Sequence, residues 1–411
     1  MTNTKDVQIL RELARQVAEI AARPVQEERR GLWRRHNSLQ PTRPLLYVRG
    51  GVAFNDILEP QLKCEDPFYR AHERHLRRMI FQDTVGDDFI IEPWITQRAS
   101  YVTPEEGLWG VPVQRTPSTE EGGAWKCDPP LKEPEDIEKL LRPHHRIDEE
   151  ATTRNVEKLR EAVGDYLEVN VDRAPVYRVW HADISTDLGY LREIEQFMWD
   201  MVDRPEWLHE LVGFLRDGVL TTHEEAEEAG DWRLANSENQ AMPYSLELPD
   251  PEANSDPVDR DQLWCFCAAQ EMAQVGPDMH DEFVLQYQLP IIEKFGLVAY
   301  GCCEDLTNKI DMLRQVPNLR RIAVTPWADV ARCAEQIGDD YVYSWRPSPA
   351  NQVCVQFDPD YIRKTVREAM EATRGCHVDI TLKDIQTLED EPERLRQWVK
   401  IVRDVTDRYA S

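Results

Sequence analysis

The stretch Ala299-Tyr300-Gly301-Cys302-Cys303-Glu304-Asp305 sets two adjacent thiols beside a carboxylate. Soft sulfur and hard oxygen donors at one point make a ligand set suited to zinc. The stretch ends a strand-like run, GLVAYGC at 296–302, and precedes a helix start capped by Thr307. A further thiol, Cys376, opens the apolar run CHVDI and is followed by His377 and Asp379, 73 residues beyond Cys303. Strand ends that far apart in sequence converge inside a closed parallel sheet. Cys302, Cys303 and Cys376 are therefore the candidate metal ligands, with Glu304 as a candidate catalytic carboxylate. The competing reading is that these thiols pack as small apolar groups, the commonest fate of a free cysteine.

Other positions carry less specific chemistry. His181, in VYRVWHADIS, follows a strand-like run, and its near-neutral pKa suits acid–base work or substrate contact. A hydrogen-bonded structural histidine is the alternative. Trp94, Tyr101, Trp180 and Trp345 lie near strand ends, where aromatics line apolar cavities or simply pack. Asn236, Glu238 and Gln240 offer polar groups that orient a substrate or face solvent. The segment CFCAAQE (265–271) adds Cys265, Cys267, Gln270 and Glu271, with Gln270 as a candidate substrate contact.

These residues need elements to position them. Apolar residues at 7, 9, 10, 13, 17 and 20 predict an amphipathic helix over 4–22. A basic helix around 26–37 follows, read as a solvated face that pairs with an acidic body. Strands are expected at 45–50, 87–95 and 165–173, and helices at 186–199 and 207–218. Residues 100–150 and 233–262 read as long insertions, rich in Gly, Pro and charge or in Pro and Asn. From 278 the alternation is regular: helix 278–295, strand 296–302, helix 307–316, strand 320–326, helix 327–337, strand 340–347, helix 358–374, strand 376–380 and helix 391–409. Such alternation with short loops is the signature of βαβ units and a parallel sheet. No GxGxxG or GxxxxGK[ST] motif supports a nucleotide-binding doubly wound sheet. The expected architecture is an α/β (β/α)8 barrel, a TIM barrel over 41–411, with an N-terminal helical extension over 1–40 and long loop insertions. Its site would lie at the C-terminal ends of the strands.

The 411 residues include 49 Lys plus Arg against 76 Asp plus Glu, a formal charge of −27. That excludes a nucleic-acid binder, which needs basic stripes to displace counterions, and disfavours an anionic membrane surface. The N-terminal segment has no apolar run of a secretory signal, and no stretch is long and apolar enough to span a bilayer. Nine cysteines, an odd number, then fit a reducing, cytoplasmic setting.

From about residue 175 onward, the chain resembles the uroporphyrinogen decarboxylase superfamily, and within it the corrinoid-dependent methyltransferases. YLREIEQFMWDMVDRPEWLHELVGFLRDG (190–218) resembles that superfamily's helix pair, and VGPDMHDEFVLQYQLPIIEKFG (275–296) its S-P-E-x-F-x-E-F-x-x-P-Y segment. YGCCEDLT (300–307) falls where the methyltransferases carry H-x-C-G. ATRGCHVDITLKDIQTLEDEPERLRQWVKIV (372–402) falls where they carry P-G-C-G-I and a following helix. The resemblance implies a TIM barrel and one zinc ion held by a His, a Cys and a distant Cys. Aligning Thr307 with the helix cap puts Cys303 at the motif Cys, Gly301 at the motif His and Cys376 at the distant Cys. The His is missing, and Cys302 or Glu304 would supply the lost ligand. A second register puts Tyr300 at the His and Cys302 at the Cys. CFCAAQE stands where these enzymes often carry D-D-x-G.

The function implied is a zinc-dependent methyltransferase. It would demethylate a small methylated substrate, or pass the methyl to a thiol or folate. The chain has no D-x-H-x-x-G segment, so the corrinoid (cobalamin-type) cofactor would ride on a separate partner protein. Oligomeric state is left open, a homodimer included. Two alternatives stand beside this reading: a metal-free carboxy-lyase that decarboxylates a tetrapyrrole, and a non-catalytic binding paralogue. The decarboxylase places an R-Q-A-G-R loop near its N-terminus, whereas LLYVRGGVAFND (45–56) offers only Arg49 and Asp56.

Overall fold

A computed structural model of the chain describes residues 4–120, 123, 126–177, 180–355 and 357–409. Ten strands run in chain order: β1 (Leu45–Val48), β2 (Trp94–Arg98), β3 (Gln114–Thr116), β4 (Lys126–Asp128), β5 (Glu168–Asp172), β6 (Trp264–Cys267), β7 (Leu297–Tyr300), β8 (Leu319–Val324), β9 (Val342–Trp345) and β10 (His377–Leu382). Six of them form one curled parallel sheet in the order β1-β10-β9-β8-β7-β6. β2 pairs in parallel with β5 alone, and β3 with β4 make an antiparallel hairpin inside the 100–150 insertion. The roots of that insertion are tied by a bridge between Tyr101 and Ile147.

Asp66, Asp148, Asp329 and Asp358 cap the helices that follow them, each accepting a first-turn N–H. The strands are short, and their side chains alternate between two faces. Val298, Tyr300, Ile322, Val324, Tyr343, Trp345, Ile380 and Leu382 face the helices in one large apolar core. The opposite, inner face holds Phe266, Leu297, Ala299 and Cys302 on one side. Across from them it is polar: Arg321, Ser344 and Asp379 are all buried.

That polar patch explains the basic helix Pro24–Asn37. Its Arg30 and Arg34 pair with Glu92 and Asp250, as expected of a basic face on an acidic body. Its other face is buried, which the charge run concealed. His36 Nε2 lies 3.2 Å from Asp379 Oδ2, Arg321 donates to Asn37 Oδ1 at 2.9 Å, and Trp33 Nε1 donates to the Asp88 carbonyl at 2.8 Å. The preceding helix, Thr4–Ala21, packs Leu10, Leu13 and Val17 against Leu76, Val156 and Leu159.

Several elements differ from the sequence reading, each for a local reason. The strand expected at 87–95 begins at Trp94, because Asp87 and Asp88 turn their carboxylates onto β1: Asp88 accepts from Leu46 N at 2.8 Å and Asp87 from Val48 N at 2.7 Å. The helix expected at 186–199 is two, Ser185–Arg192 and Ile194–Asp203, split at Glu193 with φ 75°. Pro205–Glu228 runs ten residues past its expected end. Helix 278–295 contains a π turn at Asp281–Leu285, just ahead of Pro290, which has no N–H for the ladder. The helix expected at 307–316 shrinks to Ile310–Leu313, because Thr307 and Gln336 tie the preceding loop to the next helix. Among the described residues, no helix is long and apolar enough to cross a membrane.

Candidate functional site: a thiol pair held by a lysine

The turn after β7 owes its shape to Gly301 and Glu304. Gly301 has φ 101°, and a Cβ there would stand 2.7 Å from Leu306 Cδ1 and 3.1 Å from Ala323 Cβ. No histidine ligand fits at this position. Replacing Gly301 by Ala is expected to lower unfolding stability by about 2 kcal/mol, read from chemical denaturation. Glu304, fully buried, accepts from the backbone N–H groups of Cys302 (2.8 Å), Cys303 (2.9 Å) and Ala269 (2.9 Å). Its carboxylate thus fixes the turn, with both oxygens engaged by backbone N–H groups.

The fixed turn places Cys302 on the inner face, 4% exposed, and Cys303 outward and exposed, with the sulfurs 3.8 Å apart. Lys383, one step beyond β10, puts Nζ 3.2 Å from Cys302 Sγ and 3.3 Å from Cys303 Sγ. Asp384 Oδ2 lies 2.9 Å from Nζ and 3.8 Å from Cys303 Sγ. Arg346, just after β9, donates to the Cys302 carbonyl at 2.6 Å. Gln240 Nε2 approaches Cys302 Sγ at 3.5 Å.

The electrostatics follow from this geometry. The Cys303 hydrogen bond holds the Cys302 thiol well below its ordinary pKa; burial opposes it, and the Arg346 and Lys383 charges reinforce it. The same bond, with burial, pushes Cys303 upward. The same contacts therefore favour the negative charge on Cys302 and the proton on Cys303. Burial and Arg346 work against the Lys383 charge, but the two sulfurs outweigh them and raise its pKa. An ion pair of thiolate and ammonium with a neighbouring thiol is an activated nucleophile.

Among the described residues, three buried polar atoms have no protein partner: Gln240 Oε1 and Arg346 Nε, on side chains that contact Cys302, and Thr325 Oγ1, just past the C-terminal end of β8. Gln240 also adopts φ 58°, a conformation that costs free energy and aims its amide at the thiols.

The other candidates are scattered. Cys376 precedes β10, at the end opposite Lys383, and its sulfur contacts the Ala334 carbonyl at 3.8 Å. The six residues of β10 separate it from Lys383, the residue that reaches the thiol pair, so the three cysteines do not form one ligand set. It instead lines a cavity of about 480 Å³ with His377, Arg374 and Arg408. His181 Nδ1 accepts the Phe266 N–H at 3.3 Å, and its ring stacks on Phe295, so it serves the edge of β6. Trp345 packs on the helix side because Ser344 and Arg346 take the inner face. Trp94 opens β2, outside the six-stranded sheet that carries the thiol pair. Tyr101 donates its hydroxyl to the Ala174 carbonyl. Gln270 stands half-buried in the turn after β6, and Asn236 donates to Asp172. Cys267 lies on the helix side and contacts the Ala182 carbonyl, with Cys265 beside it in the same core. Trp180 alone of the aromatic candidates packs in the inner-face cluster that contains Cys302.

A zinc ion does not fit the residues present. The position between the two sulfurs belongs to the Lys383 ammonium, both Glu304 oxygens are engaged by backbone N–H donors, and Cys376 is remote. Among the described residues, no group of three His, Cys, Asp or Glu side chains is arranged to hold a metal. Lys383, Asp384 and Arg346 escaped the sequence reading. For Lys383 the signal was the every-second-residue pattern Asp379-Thr381-Lys383, which carries polar side chains up the inner face of the last strand. Comparison with family models and with curated proteins finds no match to this chain.

Proposed function

We propose that the chain is a methyltransferase on a (β/α)8 barrel, and that its Cys302 thiolate, rather than a zinc-bound thiol, receives the methyl group. Support for the barrel comes from the six-stranded parallel sheet and the separate parallel β2–β5 pair, which together supply the number of strands a barrel needs. The hydrogen bonds of Asp87 and Asp88 to β1 would bridge one gap between them. The segment after residue 235 would bridge the other: Asn254 bonds to Asn170 on the β5 side, and Ser237 accepts from Trp264 on the β6 side.

The observation that carries the reading is Lys383 Nζ within 3.3 Å of both sulfurs at the strand C-termini. There the thiolate attacks the methyl carbon in line. The S–C bond forms, the bond to the donor's leaving atom breaks, and that atom keeps the electron pair. Gln240, Arg346 and Thr325 orient the small substrate through their free polar atoms. A separate corrinoid protein as the methyl partner is what the family resemblance adds.

Incubation with methylcobalamin, followed by peptide mass spectrometry, tests the reading. One methylene mass on Cys302 is expected, abolished in Cys302→Ser and retained in Cys376→Ser. No mass gain in the wild type would sink it. The cations Lys383 and Arg346, with Arg49 next to Lys383 in register, favour a carboxylate-bearing ligand and keep decarboxylation as the second reading. That reading expects carbon dioxide release from a porphyrinogen, undiminished in Cys302→Ser.

A further inference from the structure

We propose that Cys302 and Cys303 form a two-thiol exchange centre that takes an anionic small-molecule disulfide and passes through a Cys302–Cys303 disulfide. This rests on the reading of the pair as the reactive centre, and not on the group assigned to it above.

The two sulfurs have different surroundings and complementary tasks. Cys303 is exposed and meets a solvent-borne substrate first; Cys302 is 4% exposed and lies behind it. The separation of 3.8 Å allows a proton to pass between them and the second sulfur to attack where the first has reacted. Both backbone N–H groups are tied to one carboxylate oxygen of Glu304, so the pair cannot drift apart. Lys383, in reach of both, steadies whichever sulfur is ionised. Its charge is shared with Asp384 at 2.9 Å, so Arg346 and the neighbouring Arg49 supply the surplus that favours an anionic partner, although the chain as a whole carries −27.

The chemistry balances. Cys303 gives its proton to Cys302, and its thiolate attacks one sulfur of the incoming disulfide. A new S–S bond forms, the old one breaks, and the leaving thiolate recovers the proton from Cys302. The Cys302 thiolate then attacks Cys303 Sγ and expels the second half as a thiolate, protonated by water or Lys383. Two electrons have moved from the pair to the substrate, leaving two thiol products and a disulfide between neighbouring residues. Such a small ring is strained and readily reduced, so a dithiol reductant completes the cycle.

Reduced full-length protein incubated with oxidised glutathione, followed by intact mass and thiol titration, tests this. The wild type is expected to lose two thiols per chain with no glutathione retained. Cys302→Ser is expected to hold one glutathione on Cys303, and Cys303→Ser to react at least ten-fold more slowly. Bis(2-hydroxyethyl) disulfide, which is neutral, is expected to react more slowly than oxidised glutathione, with the gap narrowing as salt is added. A wild type that stops with glutathione attached overturns the proposal, as does a Cys302→Ser variant that takes none. Alkylation by iodoacetamide separates the two readings. A pair that alkylates but forms no disulfide defeats the exchange centre alone; a pair that does neither defeats both.

Discussion

Replacing Lys383 by methionine is expected to move the pH midpoint for iodoacetamide alkylation of the thiol pair upward by about 1–3 pH units. Methionine keeps the length and apolar stem of the buried lysine, so the change is chiefly one of charge. Among the described residues, Lys383 is the cation whose ammonium reaches both sulfurs, at 3.2 and 3.3 Å. Its removal also frees Asp384, 3.8 Å from Cys303 Sγ, to oppose the thiolate. Arg346 and the Cys303 hydrogen bond remain, so the thiolate is weakened and not abolished. A second signature follows. Thiolates of higher pKa are intrinsically better nucleophiles, so the alkaline plateau rate is expected to rise about three-fold for each pH unit that the midpoint climbs. Loss of rate at low pH with gain at high pH is what a charge effect gives; a disordered pocket would not reproduce it. An unchanged profile would show that Lys383 does not hold the pair.

The sequence carried the alternation of strands and helices after 278 well, because each helix there has an amphipathic face and each strand a dense apolar run. It also located Cys302 and Cys303 at the end of a strand, of which Cys302 alone turns inward. What it missed were partners distant in sequence. Lys383 lies 80 residues beyond Cys303, and only the parallel pairing of β7, β8, β9 and β10 brings their C-termini together. The resemblance to zinc enzymes placed Cys376 with the pair, but the strand runs the other way from that cysteine, and a lysine stands where the metal would. Glu304 was misread for a different reason. A carboxylate beside two thiols looks like a ligand in one dimension, yet two of its three hydrogen bonds go to the N–H groups of those same cysteines. The basic helix was half legible. Its arginines pair outward as charge runs do, but His36 and Asn37 reach the inner face, and nothing in a single sequence names Asp379 and Arg321 as their partners.

That inner-face network sets the last expectation. Asp379 is fully buried and takes Arg321 at 2.9 Å, Ser344 Oγ at 2.9 Å, His36 Nε2 at 3.2 Å and Thr381 Oγ1 at 3.2 Å. Burial raises its pKa, but the Arg321 charge and the His36 and Ser344 bonds more than offset this and bring it from 3.8 down to about 2. Between those values the unfolded chain binds more protons, so stability rises with pH there and is fully present above about pH 4. Replacing Asp379 by asparagine removes the charge and keeps the shape. At pH 7 it is expected to cost about 2–3 kcal/mol, leaving the Arg321 guanidinium buried without its counterion. The gap between wild type and variant is then expected to close as pH falls from about 4 toward 2, where the wild-type carboxyl is itself neutral. Asp87, raised to about 7 by burial, and Asp187, raised to about 6, have the opposite sign and lose stability as pH rises. Their slopes lie above the ordinary aspartate value of 3.8 and are common to both proteins, so the acid window isolates Asp379. Urea midpoints of the two proteins across pH 2–7 measure the difference. Parallel acid slopes would mean that Asp379 is not held ionised by Arg321, and that its ion pair does not help anchor the helix Pro24–Asn37 to the sheet.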